Sequence, residues 1–157
     1  MEIKAGVLNA RNFSDYGQVI TAYEGEPMAD DDVITYYGKV GKIPCEGLLS
    51  TGYLVGHKRA FSTDKLERHM NTPEVLVALD GDALILAALP DEQDNVENVS
   101  AFHIKQGEAV VLDKAAWHWT PFPTEKDYCV FLVIFKDNTE SDDLDIRELD
   151  TPIVITP

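Results

Sequence analysis

Two stretches of the chain place imidazoles and carboxylates at spacings that can do chemistry. The first runs Glu67-Arg68-His69, then Glu74 after four intervening residues, then Gly81 after six more. The second runs from Gly107 through Glu108 to Leu112, then Asp113-Lys114-Ala115-Ala116-Trp117-His118. Glu67 and His69 are two residues apart, so on an extended strand both side chains point to the same side. Glu74 begins a strand that runs into Gly81, and His118 follows a turn after another strand. If those strands are neighbours in a small barrel, their side chains meet inside it. Glu67, His69, Glu74 and His118 then form a candidate nitrogen and oxygen ligand set for a divalent metal, with Zn, Mn, Fe or Ni as the suited ions. The competing account is packing: His69 on the surface beside Arg68, His118 wedged between Trp117 and Trp119, and the two glutamates as salt-bridged wall residues.

Other reactive side chains are weaker candidates. His57 and His103 lie in no motif and read as surface or core histidines. Arg68 points opposite to its neighbours on a regular strand, so it reads as structural or interfacial. Lys114, in the turn before His118, could hold a carboxylate at the pocket mouth. Of Tyr36 and Tyr37, only one can face inward from a strand.

The elements that must position these residues are short and strand-like. Residues 2–8 alternate as an edge strand, and Asn9 is a candidate cap for a short helix over Ala10 to Asp15 that Gly17 stops. Gly25 to Asp32 reads as loop, and Val33 to Val40 and Leu48 to Val55 as strands. Glu74 to Leu79 and Ala83 to Leu89 flank Asp80-Gly81-Asp82, a tight-turn signal. Pro90 to Asn98 is a polar loop, followed by strands over Val99 to Ile104 and Glu108 to Leu112. Tyr128 to Phe135 is too apolar to have one face in water. The following segment turns acidic, with seven Asp or Glu from Asp137 to Asp150. Ile153-Val154-Ile155 requires cover from a sheet edge or a second subunit, which predicts a homodimer. Many short strands split by glycine turns predict an all-β sandwich or barrel with only short peripheral helices.

Length and charge bound the function classes. The 157 residues predict a single domain over 1–157, large enough for a core without disulfides. The 28 acidic and 13 basic residues give a net charge of −15, which repels nucleic acid and anionic membranes. A small anionic substrate remains admissible if its pocket is locally positive. Cys45 and Cys129 do not form a disulfide framework or zinc knuckle. No run approaches the roughly 20 apolar residues of a membrane span, so the expected location is cytoplasmic.

The two stretches resemble the paired motifs of the cupin superfamily. His69 matches the second histidine of the first motif, Glu74 its glutamate and Gly81 its closing glycine, while Glu67 stands in place of the first histidine. In the second motif Gly107 and His118 match, whereas Asp113, Ala115 and Phe122 replace a proline, a glycine and an asparagine. The resemblance implies a cupin-type β-barrel or jelly roll.

A narrower resemblance, over roughly residues 6 to 137, is to the ureidoglycolate lyase family. It rests on Leu8, Asn12-Phe13-Ser14-Asp15-Tyr16-Gly17-Gln18-Val19-Ile20, Leu66-Glu67-Arg68-His69, Gly81, Ala101-Phe102, Gly107-Glu108 and Trp117-His118. Where the family commonly has His-His-Pro, this chain has His118-Trp119-Thr120-Pro121, and Glu74 replaces a glutamine. The resemblance implies cleavage of ureidoglycolate to urea and glyoxylate, a step of allantoin catabolism. His118 and His69 would carry the proton transfers, with Glu67 as a ligand or orienting group. No step is redox, so no organic cofactor is expected. A metal-assisted sugar or keto-acid isomerase, or a non-catalytic small-molecule-binding cupin, could use the same pocket.

Overall fold

The strand Ala83–Ala88 is buried along its whole length, and its two faces belong to two different cores. Side chains alternate across a strand, so Leu84, Leu86 and Ala88 face one way and Ala83, Ile85 and Ala87 the other. That division organises the protein. The computed structural model describes residues 1–21, 25–89 and 98–157.

In chain order the strands are β1 (Glu2–Val7), β2 (Gly17–Val19), β3 (Ala29–Asp30), β4 (Thr35–Tyr36), β5 (Leu49–His57), β6 (Ser62–Arg68) and β7 (Glu74–Asp80). They continue with β8 (Ala83–Ala88), β9 (Ser100–Ile104), β10 (Ala109–Leu112), β11 (Trp117–Pro123), β12 (Tyr128–Lys136) and β13 (Asp145–Thr156). One short helix, α1 (Thr139–Asp142), precedes β13. Six strands, β1-β13-β6-β11-β8-β9, close into a barrel. Five others, β2-β10-β7-β12-β5, form an open sheet, and β3 and β4 make a separate hairpin. This is the all-β barrel architecture that the strand and turn pattern predicts.

The first core fills the closed barrel, and all six strands contribute to it. Its buried residues include Ala5, Leu66, Leu84, Ala101, Trp117, Phe122, Ile153 and Ile155. The second core lies between the barrel wall and the open sheet. Ile85, Phe102 and Ile104 of the barrel meet Leu76, Val110, Leu112, Phe131, Val133 and Phe135 of the sheet there. Phe13 and Tyr16 join Phe102 at tilted or edge-on angles, with ring centroids 5.3–5.9 Å apart. Such pairs add about 0.5–1.5 kcal/mol beyond their buried area.

Turn chemistry sets the register. Gly81 sits at φ +79° in the β7–β8 turn, a conformation that L side chains rarely adopt. A Cβ on Gly17 would fall 1.9 Å from the Val111 carbonyl oxygen, so only glycine lets β2 pair with β10.

Several expectations need correction. Asn9 does cap, its Oδ1 accepting from the amides of Arg11 and Asn12, but residues 10–16 form consecutive turns rather than a helix. The segment 33–40 yields only the two-residue β4, and both Tyr36 and Tyr37 are substantially exposed. Tyr36 ends β4, which pairs with β3 over two residues, and Tyr37 follows it. The strand predicted over 48–55 extends to His57, because its partner β12 is long. The loop expected over Pro90 to Asn98 falls, for residues 90–97, outside the described residues. Ile153-Val154-Ile155 finds its cover within the chain, in a β13 that pairs with both β1 and β6 and closes the barrel. The acidic stretch from Asp137 to Asp150 contains α1 and the first half of β13.

Candidate metal and proton-transfer site

The site lies in the second core, at one end of the seam between barrel and sheet. Alternation explains why. On β6 Leu66 points into the barrel, so Glu67 points to the seam; on β11 Trp117 points in, so His118 points to the seam. Glu67 and His118 are directly paired across the two strands, and His118 pairs with Ala87 on its other side. Glu74, the first residue of β7, faces them from the opposing sheet. His69 stands in the short link between β6 and β7.

His118 follows its turn as the second residue of β11. The turn before it is tied to the first motif, since the Ala115 amide donates to the His69 carbonyl at 2.7 Å. Ala115 holds φ +64°, a left-handed conformation. The superfamily pattern has glycine here, and this geometry supplies the reason.

His69, Glu74 and His118 are 6%, 7% and 4% exposed. Glu74 Oε2 lies 3.1 Å from His69 Nε2 and 2.9 Å from His118 Nε2. The imidazole centroids are 5.2 Å apart. One donor atom from each of the three residues falls within 4.8 Å of the others, which makes them a group able to hold a metal ion. Glu67 lies outside that trio, its Oε1 3.9 Å from His118 Nε2.

The outer ring nitrogens define the chemistry of the inner ones. His69 Nδ1 is 2.9 Å from the Asp143 carbonyl oxygen, and His118 Nδ1 is 2.9 Å from that of Ala116. A carbonyl only accepts, so each Nδ1 carries hydrogen, and each neutral ring turns a bare Nε2 lone pair toward Glu74. Three acceptors then converge around one point. Consistent with this, Glu74 Oε2 and His118 Nε2 are buried and neither makes a hydrogen bond among the described residues. Buried orphans of this kind are costly, and a cation among them, proton or metal, relieves the cost. The donor set suits a divalent transition ion.

The ionisation equilibria show the same attraction. Burial opposes the charged form of His118, but the nearby Glu74 carboxylate outweighs it, with Glu67 adding, and the imidazole is pushed up to about 9. Burial likewise opposes the charge on Glu74, yet the His118 and His69 imidazoles hold it down at about 2. Burial acts downward on His69 too and is again overcome by Glu74. Glu67 behaves differently. Burial raises its carboxyl and Glu74 adds to that, against the opposing pull of the two imidazoles.

A cavity of about 240 Å³ opens beside this group. Glu67, His69 and Glu74 line it together with Gly52, Tyr53, Leu54, Val133, Phe135, Glu140 and Leu144. No lysine or arginine is among these, so positive charge in the pocket comes from the imidazoles or a bound cation. Lys114 lines a different cavity, with Asn71 and Lys136. Arg68 pairs with Asp145 at 2.8 Å and stacks over Trp117, a structural role. His57 is exposed and His103 half-buried, and neither lines this cavity.

Sequence reasoning missed Glu140, Leu144 and Asp143. All three lie in the stretch read only as acidic, where no spacing rule signals a pocket wall.

The fold is similar to parts of much longer solved structures, of which this chain spans 23–30%. Oxalate decarboxylase from Bacillus subtilis at pH 4.6 is 20% identical over 64% of this chain and 23% of its own, with a TM-score of 0.46. The formate complex of the Lactobacillus farciminis enzyme is 16% identical over 64% of this chain and 26% of its own, at 0.45. A Bacillus subtilis oxalate decarboxylase studied for its Mn(II) centres is 19% identical over 80% of this chain and 30% of its own, at 0.46. No curated protein matches the chain. The ureidoglycolate lyase model, in contrast, matches residues 1–156, a longer stretch at both ends than the one whose motifs carried the resemblance, and the chain belongs to the ureidoglycolate lyase family.

Proposed function

We propose that this protein cleaves ureidoglycolate to urea and glyoxylate, using the seam site of His69, Glu74, His118 and Glu67. The observation that carries the site is the convergence of three buried acceptors, two of them without a hydrogen bond among the described residues. In the reaction a base removes the substrate's hydroxyl proton, the carbon–oxygen bond becomes a carbonyl, the carbon–nitrogen bond breaks, and an acid protonates the departing urea nitrogen.

His69, Glu74 and His118 are the residues that would hold a divalent Zn, Mn, Fe or Ni ion. That ion would act as a Lewis acid toward the substrate carboxylate and hydroxyl. Glu67 is then the group left to move the proton. It sits at the cavity wall outside the trio, and its raised carboxyl pKa brings it nearer the working pH than a solvated glutamate. A single carboxylate that takes the hydroxyl proton and returns it to nitrogen leaves the balance of protons unchanged. With only protons at the trio, His69 and His118 supply both the positive charge and the transferable protons. Leu54, Val133 and Phe135 give the pocket an apolar wall that keeps water off the transfer.

The proposal extends to setting and assembly. Allantoin catabolism is the route that such a reaction serves. Two free cysteines fit a reducing compartment such as the cytoplasm, and no helix among the described residues is long and apolar enough to cross a membrane. A homodimer is supported not by the terminal strand, which is covered within the chain, but by the outer face of the open sheet. Val55, Leu79 and Tyr128 are exposed there.

The test is a coupled assay of urea and glyoxylate release from ureidoglycolate, beside metal analysis of the purified protein. Equal release of both products above the spontaneous rate is expected. Protein loaded in turn with each of the four ions and still inert toward ureidoglycolate overturns the proposal.

A further inference from the structure

The two site imidazoles are oriented by different means. His118 is fixed locally, through the carbonyl of Ala116 two residues earlier in the same turn. His69 is fixed by a residue 74 positions away, Asp143, at the end of α1. That residue makes an unusually complete set of contacts with the His69 link. Its carbonyl accepts from His69 Nδ1 at 2.9 Å. Its carboxylate accepts from the Met70 amide at 2.9 Å, the Asn71 amide at 2.8 Å and the Asn71 side chain at 2.9 Å. Its own amide donates to Thr139 at 3.0 Å, and the buried Thr139 hydroxyl donates to the Lys136 carbonyl at 2.6 Å. The chain of bonds thus runs from the end of β12, through α1, to His69.

We infer that Asp143 is the positioning residue of the site: its carboxylate clamps the Met70 and Asn71 amides so that its own carbonyl fixes the His69 ring with Nε2 facing Glu74. This rests on the His69–Glu74–His118 site proposed above, but not on the substrate. The backbone carbonyl survives any substitution, whereas its placement depends on the side-chain clamp. Losing the carboxylate leaves two amides without their acceptors and frees the link to rotate. The neighbours Glu140 and Leu144 line the cavity, so the same segment sets both a pocket wall and a ligand's direction. Groups that orient a ligating histidine in this way typically change metal affinity by about 10–100-fold when removed.

The test compares wild-type protein with D143A, D143N and N71A, using the exposed D142A as control. Zn²⁺ affinity is measured by chelator competition, and the His69 tautomer of the metal-free protein in alkaline solution by ¹⁵N chemical shifts. Circular dichroism establishes that each variant is folded. D143A should bind Zn²⁺ about 10–100-fold more weakly and show a mixed His69 tautomer. D143N, which keeps one acceptor, and N71A, which removes one of three side-chain hydrogen bonds, should fall between it and wild type, and D142A should match wild type. Folded D143A with unchanged Zn²⁺ affinity and an unchanged tautomer overturns the inference. Should D143A not fold, unchanged affinity and tautomer in both D143N and N71A overturn it equally. Neither readout involves ureidoglycolate, so the inference can fail while urea release succeeds, and the reverse.

Discussion

The two cores share a wall and do opposite work. Inside the closed barrel, Trp117, Phe122, Leu84, Leu86, Leu66 and Ile153 pack as an apolar core, with the guanidinium groups of Arg59 and Arg68 stacked over the Phe122 and Trp117 rings. One residue along β11, on the other side of the same sheet, His118 is equally buried but points at a carboxylate and a second imidazole. An unpaired charge in that apolar interior would be costly, and Arg68, which stacks over Trp117, is paired with Asp145. The seam is open at one end, where the β6–β7 link and α1 meet the cavity, and three acceptors can be gathered there around a cation. The general lesson is one of division: both cores are packed with apolar side chains, but one end of the seam also gathers buried groups that call for a cation.

The sharpest way to break this division is to change neighbours that face opposite cores. H118A should lower lyase activity by about a thousandfold or more, as loss of a ligand or proton carrier does, while the fold remains intact by circular dichroism. W117A should do the reverse in character. It should cost about 3–5 kcal/mol in urea unfolding, the usual range for truncating a large buried aromatic, with the site chemistry retained in whatever fraction stays folded. If the two profiles exchange, the assignment of cores is wrong.

The pH dependence of stability tests the seam alone. Glu74 is held at about 2 against an ordinary 4.5, so its stabilisation is present above 4.5 and lost as pH falls toward 2. His118 is raised to about 9 against 6.5, so its stabilisation is complete below 6.5 and lost as pH rises through 9. Metal-free protein should therefore be most stable between pH 4.5 and 6.5. Glu67, raised mainly by burial, draws the maximum toward the acid end. The two shifts describe one contact and together correspond to roughly 3 kcal/mol. Urea midpoints across this range should fall on both sides, and added Zn²⁺ should flatten the alkaline limb, where the ion replaces the lost proton. A flat profile in chelator-treated protein contradicts the buried charge contact.

The smallest expected effect concerns the turn that delivers β11 between the cores. Ala115 is held at φ +64°, so A115G should gain about 0.5–1 kcal/mol by relieving strain, less the entropy glycine adds to the unfolded chain. Its amide still reaches the His69 carbonyl, so activity should not change. A loss of stability would mean that the strain is not where the backbone places it.

Much of this was legible in the sequence, for identifiable reasons. Period-two alternation put Glu67 and His69 on one side, and the Asp80-Gly81 turn marked β7 and β8. The spacing of the two stretches brought His69, Glu74 and His118 into one frame. What was not legible depends on contacts distant in sequence. Nothing local says that β8 divides two cores, since a strand buried on both faces shows no alternation. Nor does an acidic run reveal that Asp143 will reach back to His69. The helix predicted over 10–15 failed for the converse reason: Asn9 offers good capping, but the segment is too short to propagate a helix and packs as turns around Phe13. The exposed tyrosines and the two-residue β4 show that β propensity at 33–40 does not by itself build a long strand.

The parallel pairing of β1 with β13 joins Glu2 to Val154 and Lys4 to Thr156, and it bears on how the protein is made. During synthesis β1 leaves the ribosome well before β13, one of its two barrel neighbours. Until then β1 and β6 each have an unpaired edge, and the apolar interior they share with β8, β9 and β11 is open on that side. The nascent chain must therefore keep a half-built cylinder from finding foreign strands, a demand that falls on chaperones and on the charged side chains along β6, Asp64, Lys65, Glu67 and Arg68.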